Sequence, residues 1–186
     1  VSGQLTEIGS NAFENTALTA TPDLSQVVSI GDNAFRSTDI KTVSIANDTK
    51  VGSYAFYNCT GLTSVTLSNK LTSISSYTFY GCSSLTSITI PDSVTSIEGW
   101  AFSGCSNLTS VVIGNSVMDI GEASFYNCTK LTSVTIPDSV TYIGSDAFEG
   151  CTSLTDVKLN PTLRILGDKA FAECDRLQEV FLESTQ

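Results

Sequence analysis

Six cysteines are the residues of this chain best suited to metal, redox or nucleophilic chemistry, yet their spacing argues against all three. Each cysteine follows the previous one by 23 residues: Cys59, Cys82, Cys105, Cys128, Cys151 and Cys174. Metal ligands occur as close pairs such as Cys-x-x-Cys, and the chain has no histidine to complete a site. We therefore expect small buried packing residues with free thiols and no bound metal.

Two threonines support this prediction, and one alternative to free thiols remains. Thr16 and Thr38 occupy the cysteine's place in the first part of the chain, which a required thiolate ligand or nucleophile would not permit. Disulfides between successive cysteines are the alternative interpretation. They would require Cα separations and side-chain directions that only a structure supplies.

Other catalytic arrangements have little support in the sequence. Without histidine, neither a Ser-His-Asp nor a Cys-His arrangement is possible, and neither a phosphate-binding loop nor a dinucleotide fingerprint occurs. A carboxylate pair could act as acid and base. The acidic residues, however, are scattered over recurring turns, with no unique cleft. We predict that the chain is not an enzyme and uses no cofactor.

Charge and hydropathy narrow the choice of partners. Nine Lys and Arg residues against 19 Asp and Glu residues give a formal net charge of -10, which repels nucleic acids and anionic lipid headgroups. No apolar run approaches the roughly 18 residues of a membrane-spanning helix. The sequence therefore predicts no nucleic-acid partner and no membrane insertion within this chain.

The cysteines belong to an internal repeat that covers the whole chain. One unit reads LTSVTIPDSVTYIGSDAFEGCTS and runs from Leu131 to Ser153. Its leading leucine recurs every 23 residues from Leu62 to Leu177. Its phenylalanine recurs throughout, as Phe13, Phe35, Phe56, Phe79, Phe102, Phe125, Phe148 and Phe171. Such a period indicates stacked units in a single domain over residues 1–186.

Each position of a unit predicts local structure. Leu131, Val134 and Ile136 share one face of a short strand, because successive strand residues point to opposite sides. A proline turn leads to a second extended segment. We then expect a short helical turn carrying the Ala-Phe pair. Gly81, Gly104, Gly150, Asn58 and Asn127 follow the phenylalanines by two residues and tolerate the left-handed conformation that ends such a turn. One unit buries too little apolar surface to fold alone, so the units must stack.

The consensus Leu-x-x-Val-x-Ile-Pro-x-x-Val-x-x-Ile-Gly-x-x-Ala-Phe-x-x-Cys resembles the BspA-like leucine-rich repeats, the Treponema-type class. The resemblance implies an α/β solenoid: a right-handed stack with a parallel β-sheet on the concave face and short helical or extended segments on the convex side. It also implies a bacterial or protist protein at the cell surface or outside the cell. Some members of the family act in adhesion. We expect about seven to eight units, in a fragment of a longer chain.

The outward positions of the predicted concave strands are the candidate binding residues. They repeat serine and threonine until the last two units, where charged and aromatic groups replace them. A uniform ladder of solvated hydroxyls is the structural interpretation, and the four distinct groups at the end favour ligand binding. The candidates are Ser87, Thr89, Ser110, Val112, Ser133, Thr135, Asp156, Lys158, Glu179 and Phe181.

Two functions remain open at this stage. The first is an adhesion or ligand-binding module whose concave face contacts a host or neighbouring-cell protein or glycan. The second is a structural spacer that presents another domain and has no ligand of its own. Aromatic residues near the phenylalanines, such as Trp100, Tyr57, Tyr80 and Tyr126, either anchor partners or pack over neighbouring repeats.

Overall fold

A computed structural model describes residues 4–46 and 48–182 and shows a stack of repeats joined by parallel strands. Every strand pair joins one repeat to the next at the same position of the unit, as Val134 pairs with Val157. The predicted stack of repeats is therefore confirmed. Over the described residues, however, there is no helix, so the α/β class and the helical turn were wrong.

One side of each repeat contributes a strand of three or four residues. These strands begin two residues after the leading position of the unit, and before the last strand their central side chain points toward the core: Ile88 is 3% exposed and Val157 is 0% exposed. They are β3 (Thr42–Ser44), β5 (Ser64–Thr66), β7 (Ser87–Thr89), β9 (Ser110–Val112), β11 (Ser133–Thr135), β13 (Asp156–Leu159) and β15 (Glu179–Leu182). Hydrogen bonds join β3 to β5, β7 to β9, and β11 to β13 to β15.

A second side contributes two-residue strands that end on the aliphatic residue five places before each phenylalanine. Ile97, Ile120 and Ile143 are fully buried at these places. The strands are β1 (Glu7–Ile8), β2 (Ser29–Ile30), β4 (Lys50–Val51), β6 (Ser73–Ile74), β8 (Ser96–Ile97), β10 (Asp119–Ile120), β12 (Tyr142–Ile143) and β14 (Ile165–Leu166). They form one three-stranded sheet, β1-β2-β4, and one five-stranded sheet from β6 to β14.

The phenylalanines form a continuous column through the core. Phe102 is fully buried, and its ring stacks on Phe79 at 5.4 Å and on Phe125 at 5.3 Å between centroids. The leading leucines from Leu62 to Leu154 are also fully buried. Stacked repeats therefore bury apolar faces that a lone repeat would expose, as the period of the sequence indicates.

The segment around each phenylalanine turns because its amides bond to the next repeat. In a helix each N–H would bond the carbonyl four residues before it in the same segment. Here the amides of Trp100, Phe102 and Gly104 donate to carbonyls 22 residues later, each at 2.8 Å. Between the last two of them, the Ser103 amide closes a local turn by donating to Trp100 O at 3.3 Å. This alternation excludes a helix and adds a third hydrogen-bonded ladder to the stack.

Two residues in each of these turns lie in the left-handed region. One lies two residues after the phenylalanine, and the predicted tolerance is confirmed there: Gly104 has φ 72° and Asn127 has φ 56°. The other lies two residues before the phenylalanine, and the sequence analysis did not find it. That second position holds Asn11, Asn33, Tyr54, Tyr77, Trp100, Ala123, Asp146 and Lys169.

Gly104 tests the cost of the left-handed conformation alone. A Cβ at Gly104 would meet the Cα of Gly81 at 3.6 Å, which is ordinary contact, so Gly104→Ala adds backbone strain without a clash. We expect Gly104→Ala to lower the free energy of unfolding by about 1–2 kcal/mol. Gly104→Asn should cost less, because asparagine tolerates this region. Urea unfolding of both variants is the measurement, and equal losses would contradict the backbone explanation.

Candidate functional site

The outward side chains of the longer strands form what we call the strand face, in two columns along the stack. The resemblance places this sheet on the concave side. The strand register sets Ser133, Asp156 and Glu179 side by side, and likewise Thr135, Lys158 and Phe181. It also pairs Ser87 with Ser110 and Thr89 with Val112. The structure therefore brings all ten candidate residues to one surface.

All ten candidates are exposed on this face. Val112 is 58% exposed between two threonine-bearing strands, and Phe181 is 45% exposed beside Lys158. A groove of about 320 Å³ lies between β5 and β7, lined by residues that include Ser87 and Thr89. Apolar and polar groups are thus both accessible along the strand face.

The C-terminal end of the strand face carries its charges. Asp156 and Glu179 are register partners, which brings two carboxylates side by side. The Asp156 carboxylate accepts a hydrogen bond of 2.6 Å from the Thr155 hydroxyl. Lys158 lies in the adjacent column. Acidic, basic and aromatic groups therefore meet here, whereas the preceding strands repeat hydroxyls.

A neighbouring row of threonines has a structural role. It lies one residue before the longer strands from β5 to β13. The Thr63 and Thr109 hydroxyls donate to the backbone carbonyls of Lys41 and Thr86, each at 3.0 Å. Each bond joins successive repeats. These threonines thus account for part of the chain's hydroxyl content without any ligand.

The cysteines are packing residues with a hydrogen-bonding role. All six thiols are free; Cys174 is half-buried and the other five are buried. Cys105 and Cys128 each donate through Sγ to a phenylalanine carbonyl of the preceding repeat at 3.3 Å. Burial raises the pKa of Cys105 to about 12. Within 4–46 and 48–182, no group of three or more acidic or cysteine side chains is placed to hold a metal ion.

The turns around the phenylalanines carry another surface, formed by six half-buried aromatic side chains. We call it the turn-side aromatic patch. Sequence analysis noted four of them but not Tyr54 and Tyr77. The missed signal was their position: both lie two residues before a phenylalanine, as Trp100 does. The patch consists of Tyr54, Tyr57, Tyr77, Tyr80, Trp100 and Tyr126.

The patch is stacked along the repeats. Tyr54 and Tyr77 stack at 4.6 Å, Tyr57 and Tyr80 at 4.7 Å, and Tyr77 and Trp100 at 5.9 Å. Each stacked pair contributes about 0.5–1.5 kcal/mol beyond burial of its area.

Backbone strain offsets much of that gain in one of the two columns. Tyr54, Tyr77 and Trp100 have φ between 58° and 62°, and this conformation costs about 1–2 kcal/mol for a residue with a side chain. Asparagine, which tolerates it better, occupies the same position in earlier repeats. Packing stability alone therefore gives little reason for aromatic residues at these three positions.

The sequence matches the BspA type leucine rich repeat region in six copies, over residues 1–108 and 72–186. No protein among the curated proteins compared matches the chain. Over the described residues, no helix is long and apolar enough to cross a membrane.

Solved structures of bacterial repeat proteins share the fold. A leucine-rich repeat protein from Bacteroides ovatus is 30% identical, with a TM-score of 0.88 over 97% of this chain and 47% of its own. The leucine rich repeat protein of T. pallidum is 26% identical, with a TM-score of 0.54 over 97% of this chain and 65% of its own.

A leucine rich cell surface protein from Faecalibacterium prausnitzii is 22% identical, with a TM-score of 0.65 over 98% of this chain and 58% of its own. This chain therefore spans about half to two thirds of the length of these three proteins.

Proposed function

Because the chain belongs to the BspA-type leucine-rich repeat family, we propose that it is an adhesion or ligand-binding module whose strand face contacts a protein or glycan. One observation carries the proposal. The register places Asp156, Lys158, Glu179 and Phe181 together on an exposed surface, next to columns of serine and threonine. Specific recognition needs distinct groups in a fixed arrangement, and a rigid sheet supplies that arrangement.

The proposal includes a location at the cell surface or outside the cell, and an origin within a longer chain. The F. prausnitzii protein is itself described as a cell surface protein, and at 22% identity its likeness to this chain is one of fold. Location can be tested by fractionating source cells and detecting the protein with an antibody against this chain. Detection in the cytoplasm alone would contradict this part of the proposal.

The binding test is a screen of the chain against matrix proteins and glycans, followed by variants. We expect Asp156→Ala, Lys158→Ala and Phe181→Ala together to weaken saturable binding about tenfold or more, because a few central groups carry most binding energy. Surface plasmon resonance measures the affinity.

A matched control likewise removes one acidic, one basic and one aromatic side chain, but from another side of the stack. Asp119, Tyr142 and Arg164 lie in or beside the two-residue strands, and their combined alanine variant should bind as the unaltered chain does. Equal weakening by both triple variants would remove the strand face from the proposal. An absence of saturable binding to any member of the screen would instead favour a spacer that presents another domain.

A further inference from the structure

The turn-side aromatic patch is continuous over four repeats. Trp100 bridges its two columns, with ring centroids 6.4 Å from Tyr80 and 5.7 Å from Tyr126. Ser103 takes the same place in the intervening repeat as Tyr80 and Tyr126 take in theirs. It is only 2% exposed, so the neighbouring side chains close over it. The result is one surface of phenol and indole rings away from the strand face.

Carboxylates border this patch. The Glu98 carboxylate is held next to it by hydrogen bonds from the Ser76 amide at 2.9 Å and the Ser76 hydroxyl at 3.0 Å. Burial raises the pKa of the Tyr77 hydroxyl, and neighbouring tyrosines and the Glu122 carboxylate raise it further. The Glu98 and Glu122 carboxylates therefore give this border of the patch negative charge.

The C-terminal border ends in a pair of acids. Glu149 takes the place of Tyr126 in the next repeat, and Asp146 takes the place of Ala123. Glu149 is only 8% exposed, and its Oε2 atom has no hydrogen-bond donor within the described residues. A hydrogen bond with Asp146 raises the pKa of Glu149. The Lys169 ammonium partly offsets this rise, and a further cation brought by a partner would stabilise the two adjacent carboxylates.

The opposite end of the patch shows which cation such a surface accepts. The Arg36 guanidinium lies 4.8 Å from the centroid of the Tyr57 ring, and its Nε lies 3.7 Å from a Glu14 carboxylate oxygen. A tyrosine ring and a carboxylate from nearby repeats therefore hold one guanidinium. Tyr126 and Glu149 bring the same two groups together at the other end.

We propose that the turn-side aromatic patch, with its border of Glu98, Glu122, Asp146 and Glu149, is a second binding surface that takes an arginine-containing segment of a partner protein. The guanidinium is planar, weakly hydrated and always charged, so it both stacks on aromatic rings and pairs with carboxylates. A neutral glycan can donate hydroxyl hydrogen bonds to the carboxylates but does not neutralise their charge, whereas a guanidinium does both. The net charge of -10 attracts such a segment over longer distances.

Trp100 provides the readout, because it is the only tryptophan of the chain. The probe is a synthetic peptide of six Gly-Arg repeats, titrated into the intact chain while Trp100 emission is followed. We expect a saturable change that weakens as salt is raised. The Gly-Lys peptide should bind at least threefold more weakly, and the Gly-Gln peptide should not bind. Equal affinity for the arginine and glutamine peptides would overturn the proposal, and equal affinity for the lysine peptide would overturn the selection of arginine.

Two variants and a charge-matched control locate the binding. Tyr80→Leu with Tyr126→Leu, and separately Asp146→Asn with Glu149→Gln, should each weaken peptide binding about fivefold to tenfold, measured by calorimetry. The control, Asp119→Asn with Asp138→Asn, changes net charge as the acid pair does, but at exposed positions elsewhere. If the control weakens binding equally, the attraction is general and the patch is not a site.

Two further outcomes separate this surface from the strand face and from a glycan site. The triple variant at Asp156, Lys158 and Phe181 should bind the arginine peptide with unchanged affinity, even if it loses the strand-face ligand. Saturable binding of soluble oligosaccharides that is lost in the Tyr80 and Tyr126 variant, without arginine-peptide binding, would replace this proposal with a glycan surface. Urea unfolding of each variant shows whether the folded state is retained.

Discussion

The Phe102→Ala variant is expected to lose about 3–5 kcal/mol of its free energy of unfolding, measured by urea unfolding. Phe102 is fully buried, and its ring stacks on one ring in the preceding repeat and one in the following repeat. Alanine would leave a cavity between Phe79 and Phe125. The alternating backbone around it is bonded to the next repeat, so the turn cannot easily collapse to fill that cavity.

The same substitution near the end of the column is the control. Phe171 is half-buried and stacks on Phe148 at 5.2 Å. We expect Phe171→Ala to cost less than half as much as Phe102→Ala, because fewer contacts are lost. In a one-dimensional array, stability depends on the interfaces between neighbouring repeats. Equal losses at the two positions would contradict a stack held together by its internal interfaces.

The second large effect is a loss of stability at alkaline pH. Burial raises the pKa of Cys105 and Cys151 to about 12, and raises the pKa of Cys82 and Cys128 well above the usual range. In the unfolded chain these thiols ionise near pH 8.5. Above that pH the unfolded state releases protons that the folded state retains, so unfolding becomes more favourable. The stability contributed by the protonated thiols is complete below about pH 8.5 and is lost progressively toward pH 12.

The expected slope is about 1.4 kcal/mol per pH unit for each buried thiol, once the pH exceeds that of unfolded cysteine. Urea unfolding at pH 7.0, 8.5 and 9.5, under a reducing agent, measures it. Cys105→Ala provides the control. Removing one buried thiol should reduce the slope by about 1.4 kcal/mol per pH unit, which corresponds to one proton. A slope unchanged by Cys105→Ala would show that other groups, such as tyrosines, cause the alkaline loss.

Buried thiols also reconcile a ladder of cysteines with a proposed location outside the cell. A thiol reacts as the thiolate, and a raised pKa together with burial keeps that form scarce. Cys174 differs because it is only half-buried, so oxidation or alkylation of the folded chain should begin there. The alternative of disulfides between successive repeats is not what the structure shows, since all six thiols are free.

The sequence was enough to assign the candidate binding residues to one face of the strands. It did not reveal the turn-side aromatic patch. Alternation in a strand predicts that Asp156 and Lys158 point away from Val157, whatever the neighbouring repeats contain. The turn-side aromatic patch required the route of the backbone. Tyr54, Tyr77 and Trp100 share a position two residues before a phenylalanine, but tyrosine and tryptophan are poor indicators of a left-handed residue, so that position did not by itself show that their rings meet.

The apolar period of the sequence by itself determined that this protein is a stack, which side chains form its core, and which strand residues face outward. Those properties follow from burial, which depends on side-chain type and spacing along one chain segment. The tertiary structure decided the path around each phenylalanine, because amides such as Phe102 N bond to a carbonyl in the next repeat. It also decided which exposed aromatic and acidic groups meet, since residues 23 apart become neighbours only when repeats stack in register.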